Sequence, residues 1–524
     1  MSERFYRTLV TIALLLALKG AYALLISPLA TPPEERPLAA STGARAGQGS
    51  LESGDGDSHI PQHRRDLLDI AREHLPHAEW AARARYAVRT SGSFVFADDW
   101  EKEENSNRVV FSPFALVWRA PESSPDDPPL TIVCDAAALE FAEKFDIKNP
   151  NPGRVVGGSL QGPVSIRGPN GLAVETRNLS FSEASQRAWS DSDIEFAYGP
   201  HRGRAQGLEL DLIGKTGPRD HDKPAIEGIR TIRLVSNAWF KLQPGAADNR
   251  RGKNSPQDPQ PDAPDKNTPA PRREESRDAP VIITCSGSFE YKLEVHVALF
   301  NKNVVVVQPT GPDARDRLTT DLLTLEFERE LSIGKPADGA VDSASPPEPA
   351  TARSEAPLGD LKFRWLRASG PGTQISSDRS QLRARMDELT YDEPGRAVVL
   401  RGVNPVRMVQ KNTGLKCQEI TALLDEDNQI EQAHCRGAGT LMRYAQPIPE
   451  SDEVALPGVD FSARWEGELR LEPEPQTGFN TIDLQKRVVL TRPGGLRLSA
   501  ERVKIWVEPD DSSSAEAKTR VKRL

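Results

Sequence analysis

Thiolates, imidazoles and clustered carboxylates are the groups through which a chain binds metals or attacks substrates, and here they are few and scattered. The four cysteines, Cys134, Cys285, Cys417 and Cys435, include no Cys-x-x-Cys clamp, the spacing that sets two thiolates on one metal. Cys417 and Cys435 would face each other across a hairpin turning near Asp425 to Asn428. A disulfide and a pair of small apolar core residues are the two readings of that placement, and the second is favoured. His74 and His77 straddle Pro76 and are expected at the surface. Asp425, Glu426 and Asp427 lack the glycine and terminal glutamate of a calcium loop, so a solvated turn is expected. Gly157-Gly158-Ser159-Leu160-Gln161-Gly162 sits between strands rather than opening a helix, which makes it a turn and not a phosphate cradle. Gly-x-Ser-x-Gly, Walker and His-Glu-x-x-His motifs are missing. No carboxylate pair stands out for glycoside hydrolysis. The expectation is a protein that is not an enzyme, with no cofactor and no metal.

Charge narrows the partners. The formal net charge is -9 over 524 residues, with both signs interspersed, so no basic stripe is expected and nucleic acid is excluded as a partner. Arg4 and Arg7 precede the apolar run TLVTIALLLALKGAYALLISPLA, and Glu34 and Glu35 follow it. That order suits a cytoplasmic N-terminus and an exported body. Ala21-Tyr22-Ala23 resembles a signal-peptidase site, while the continued LLISPLA suits an uncleaved anchor. The anchor is favoured, with Lys19 as its weak point, because a charge near the helix centre costs about 2.5–3.5 kcal/mol.

The elements that position everything else follow from composition and period. Residues 1–30 are the anchor or signal peptide and 31–60 a Pro/Gly/Ser-rich tether; 61–242 form a first β-repeat domain. A Pro-rich linker at 243–280 precedes a repeat block at 281–333, a linker or long loop at 334–358, a last repeat block at 359–510 and a charged tail at 511–524. RRDLLDIAREHL, 64–75, predicts one short helix with Leu67, Leu68, Ala71 and Leu75 on one side and Pro76 as its stop. The rest alternates with period two.

One spacing recurs within that alternation. Leu172, Val174, Leu179 and Phe181 are two apolar pairs separated by four residues, and Leu415, Cys417, Ala422 and Leu424 repeat the pattern. So do Leu318, Thr320, Leu325 and Phe327, and Leu496, Leu498, Val503 and Ile505. Each pair lies on one face of a strand. The four-residue gap breaks parity, which requires a bulge or bend at mid-strand. Short strands precede several copies across turns such as Gly168-Pro169-Asn170-Gly171 and Pro493-Gly494-Gly495. The chain is therefore expected to be a series of antiparallel rungs that bury their faces only by stacking.

The run YDEPGRAVVLRGVNPVRMVQKNTGLKCQEITALLDEDNQ, Tyr391 to Gln429, resembles the organic-solvent-tolerance-like repeat of the lipopolysaccharide-transport proteins, through Tyr391-Asp392, Gly402, Val406 and Gly414-Leu415. Residues 159–212 are similar to that family's membrane-anchored periplasmic member, through Ser190-Asp191 and Gly203 to Leu208. The resemblance implies a mainly β fold, an elongated antiparallel jelly roll or half-open sandwich with an N-terminal transmembrane helix. It implies an inner-membrane, single-pass protein with its body in the periplasm. Its partners would be lipopolysaccharide or a similar glycolipid, an inner-membrane export transporter, and other β-repeat bridge proteins joined by edge-strand addition.

A trough for acyl chains would be lined by the repeated inward residues. In the first block these are Val164, Ile166, Leu172, Val174 and Phe181; in the second, Val304 and Val306. The last block supplies Val406, Met408, Leu415, Val488, Leu490 and Leu496. The same residues would make an ordinary dry core, so a structural or adhesive envelope scaffold is the competing reading.

Overall fold

The structure, a computed structural model, describes residues 62–90, 93–104, 106–119, 128–143, 155–214, 226–243, 279–311, 314–329, 361–378, 380–425, 430–446, 458–474, 480–507 and 521–523. The expected anchor at 1–30 and tether at 31–60, most of the stretches at 243–280 and 334–358, and Glu426 and Asp427 lie outside these residues. No helix among the described residues is long and apolar enough to cross a membrane. Among the described residues the fold is mainly β, 77% strand, in an antiparallel sheet of 24 strands. The chain divides into two compact units, one from the described parts of Leu15–Gly199 and Gln206–Ile232, the other from Pro200–Ala205 and Arg233 onward.

The first unit opens with helix α1 (Gln62–His74), close to its predicted span. Leu67, Ala71 and Leu75 are its buried stripe, packed on Phe96, Ala115 and Val117. Strands β1 (Tyr86–Thr90), β2 (Ser93–Lys102), β3 (Arg108–Trp118), β4 (Leu130–Phe141), β5 (Val155–Gly168), β6 (Leu172–Ser182), β7 (Arg187–Tyr198) and, from Gln206 on, β8 (His201–Gly214) follow. From β1 to β7 each pairs antiparallel with the next. The glycine-rich stretch expected to be a turn, 157–162, runs inside β5 instead. Gly158 sits between Leu139 and Phe181 with φ +157°, and a Cβ there would lie 2.4 Å from the Ala138 carbonyl. Its glycine serves close backbone approach within the sheet.

The second unit runs from the later half of β9 (Ile226–Leu242) through β10 (Val281–Cys285), β11 (Phe289–Lys292), β12 (Val297–Pro309), β13 (Arg315–Arg329) and β14 (Leu361–Ser377). It continues with β15 (Leu382–Asp392), β16 (Ala397–Gln410), β17 (Thr413–Leu424), β18 (Ile430–Arg436) and β19 (Gly439–Tyr444). Next come β20 (Val459–Trp465), β21 (Glu468–Pro473), β22 (Asn480–Arg492), β23 (Leu496–Val507) and β24 (Val521–Arg523). Three rungs are interrupted. β12 pairs with both β10 and β11, β17 with both β18 and β19, and β22 with both β20 and β21. The basic end, expected to be an unpaired tail, instead supplies β24, which pairs with Trp506 and Val507.

The parity break has the expected structural form. Pairing registers shift between Cys134 and Ala136, Leu160 and Pro163, Thr319 and Leu322, Ser369 and Thr373, Arg385 and Glu388, Arg401 and Val406, and Gln485 and Val488. These bulges fall within the four-residue gaps of the repeated spacing where a copy is present. Extra residues leave the ladder there, and the strand bends.

Candidate functional site

The bend is sealed on its inner side. Val304 stands opposite Thr320, Thr373 opposite Met386, and Val406 opposite Cys417, and all are buried. A bulge strands backbone carbonyls that have lost their ladder partners. Small polar side chains in the same row recover some of them. The Cys134 thiol donates to the Ala136 carbonyl at 3.2 Å and the Thr320 hydroxyl to the Ser369 carbonyl at 3.0 Å. Thr320 and Thr373 also bond each other at 3.0 Å.

Next to the bend, a second row of inner side chains crosses the whole second unit. Phe240 pairs with Ile283, Ile283 with Val306, Val306 with Leu318, Leu318 with Ile375, and Ile375 with Ala384. The row goes on from Ala384 through Met408, Leu415, Leu441, Ala463 and Leu490 to Leu498. Every member is apolar. Its burial varies along its length: Phe240, Ile283, Val306, Leu318, Ala384, Ala463 and Leu490 are buried, Ile375, Met408, Leu415 and Leu441 are half-buried, and Leu498 is 40% exposed.

Farther from the bend the inner positions turn polar. Asp316 stands opposite Ser377, Leu382 opposite Gln410, Gln410 opposite Thr413, and Thr413 opposite Arg443. The inner face of the second unit therefore grades from a closed bend through a partly open apolar row to a mixed polar rim.

The expected lining residues fall on this plan with one exception. Val304, Val406 and Val488 lie at the sealed bend, while Val306, Met408, Leu415 and Leu490 belong to the apolar row. Leu496, expected to point inward into the trough, is 71% exposed. It lies on β23 opposite Arg492 of β22, and the pairing of β23 with β24 reaches only Trp506 and Val507, so among the described residues no strand flanks it on that second side. In the first unit Val164, Ile166, Leu172, Val174 and Phe181 are all buried. Ile166 and Val174 join the row Leu116, Ile132, Ile166, Val174 and Phe196. Sequence reasoning passed over Ile375, Leu441 and Ala463, whose membership depends on register across strands far apart in the chain.

All four cysteines are buried free thiols. Cys417 and Cys435 do not stand opposite each other: Cys435 faces Ile420 and Cys417 faces Val406. The β17–β18 register, with Leu423 opposite Gln432, sets that offset of three residues. The neighbouring Cys417 thiol, together with burial, raises the pKa of Cys435. Burial pushes Cys134 up to about 12 and Cys285 to about 11, so both are protonated and poor nucleophiles at neutral pH. His77 is exposed and His74 half-buried. Among the described residues no three His, Cys, Asp or Glu side chains converge as a metal site. Compared with protein-family models and with curated proteins, the sequence finds no match.

Proposed function

We propose that this chain is a lipid carrier of the cell envelope. In this reading it holds the acyl chains of lipopolysaccharide or a similar glycolipid along the apolar row of the second unit and passes them to partner proteins. The supporting observation is the gradient on the inner face, from the sealed bend through half-buried Met408, Leu415 and Leu441 to the polar rim at Gln410, Thr413 and Arg443. An amphipathic ligand matches that gradient. Acyl chains gain about 25 cal/mol per Å² of apolar surface removed from water, and Arg443 at the rim offers a donor fork for phosphate or carboxylate.

The N-terminal segment would tether the body to the inner membrane, with the body in the periplasm. The part of β23 carrying Leu496 and Leu498, not covered by β24, would receive a strand from a partner such as an export transporter or another bridge protein. Lipid handling of this kind needs no catalytic group. A dry structural scaffold is the second reading, favoured by the first unit, where Val164, Ile166, Leu172, Val174 and Phe181 are sealed.

Mass spectrometry of organic extracts from protein purified without detergent separates the two. Acylated glycolipid recovered in proportion to protein supports the carrier. Folded protein with no lipid supports the scaffold.

A further inference from the structure

On the outer face, register assembles a feature hidden by sequence order. Arg385 stands directly opposite Arg407, Arg407 opposite Lys416, Lys416 opposite Thr440, and Thr440 opposite Arg464. Adjacent strands lie ~4.8 Å apart, so this file across β15, β16, β17, β19 and β20 spans about 19 Å. Its four cations are exposed, and among the described residues none of them meets a carboxylate. Between Lys416 and Arg464 the Thr440 hydroxyl is buried with no hydrogen-bond partner among the described residues.

Like charges set directly opposite destabilise a sheet, and beyond the bend these strands avoid that arrangement. There Glu388 faces Arg401, Arg401 faces Glu419, Glu419 faces Arg436, and Arg436 faces Glu468. Glu419 bridges Arg401 at 2.8 Å and Arg436 at 3.3 Å. One side of the bend is neutralised pair by pair, and the other carries an uncompensated basic file.

We propose that the file formed by Arg385, Arg407, Lys416 and Arg464 is a docking surface for an extended acidic segment of a partner protein. The evidence for a linear anion is the single-file layout. The adjoining row, Arg383, Val409, Gly414, Met442 and Ser462, adds a single charge, Arg383 at its end, which is half-buried, whereas a membrane surface is held by a broad basic patch. Single-stranded nucleic acid is bound through aromatic platforms, and neither row contains an aromatic residue. Arg and Lys side chains are long enough to reach carboxylates spaced about 7 Å apart on alternate residues of an extended peptide. The surface lies on the opposite side of the strands from the apolar row and does not depend on lipid binding.

The test is fluorescence anisotropy of a labelled peptide alternating glutamate and serine, titrated with the full chain. Arg385→Gln, Arg407→Gln and Lys416→Gln combined in one protein is the test variant, and Arg436→Gln is the control. The combined variant is expected to bind about tenfold more weakly with a flatter salt dependence, and the control to bind like wild type. Because the variant also relieves repulsion, its melting temperature at low salt should equal or exceed that of wild type. Three results would overturn the proposal: undiminished peptide binding by the combined variant, a lower melting temperature for it, or tighter binding of phosphatidylglycerol vesicles or a single-stranded oligonucleotide than of the peptide.

Discussion

Cys417 and Thr320 occupy the same place in two different rungs: each lies at the start of a bulge, 3.3 Å from the carbonyl two residues on, the thiol donating to it and the hydroxyl sharing its one proton between it and the Ser369 carbonyl at 3.0 Å. A thiol and a hydroxyl thus do one job. Both are buried, so the acceptors, Glu419 and Leu322 carbonyls, would otherwise face an apolar interior.

This equivalence predicts the outcome of a matched pair of substitutions. Cys417→Thr keeps a donor, whereas Cys417→Val has nearly the same shape and none. The valine variant should be less stable than the threonine variant by about 1 kcal/mol, measured by urea denaturation. Equal stabilities would show that the bulge carbonyl gains nothing from the side chain.

The repeated spacing was legible in the sequence because a parity break leaves a mark in one strand. Leu318, Thr320, Leu325 and Phe327 align with Leu415, Cys417, Ala422 and Leu424 without reference to any neighbour. Cross-strand rows leave no such mark. Arg385, Arg407 and Lys416 become adjacent only through the bulges after Arg385 and Arg401, and a slip of one residue would exchange inner and outer faces. The same dependence explains the exposed Leu496, whose apolar pattern is that of an inner residue but whose part of β23 is paired on one side only among the described residues. The breaks inside the rungs at Gly437 and Gly467 were also unread, because a glycine inside an alternating run marks a bulge and a turn alike.

His201 should make stability pH-dependent. It is buried, accepts the Gln243 backbone N–H at 3.1 Å through Nδ1, and has its pKa lowered to about 4 by burial and by Arg202. The unfolded chain takes up this proton near pH 6.5, so the contribution is fully present above that pH and is lost as pH falls from about 6.5 towards 4. Between pH 7 and pH 5 the linkage amounts to about 2 kcal/mol. His201→Asn retains an acceptor without titrating, and its stability should fall less over that interval by this amount. Parallel pH profiles would show that His201 does not titrate with unfolding.

Gly439 should not tolerate a side chain. An added Cβ would lie 2.2 Å from the Trp465 ring and 2.8 Å from the Lys416 carbonyl. Trp465 is itself buried and fixed by its indole N–H donating to the Gly437 carbonyl at 3.0 Å. Gly439→Ala is expected to cost about 1–3 kcal/mol. Gly458→Ala, with nothing within 4 Å of its added carbon, should stay within about 0.5 kcal/mol of wild type, read by thermal melts of both.

Carrier and scaffold differ in whether lipid touches the half-open apolar row in living cells. A photoactivatable residue at Met408 or Leu415 on that row, and at the exposed Arg407 beside it, reports the contact directly after irradiation and blotting for lipopolysaccharide. The account predicts adducts at Met408 and Leu415 and none at Arg407. Folded, abundant protein with no adduct at either inner position, or with equal labelling at Arg407, would contradict it.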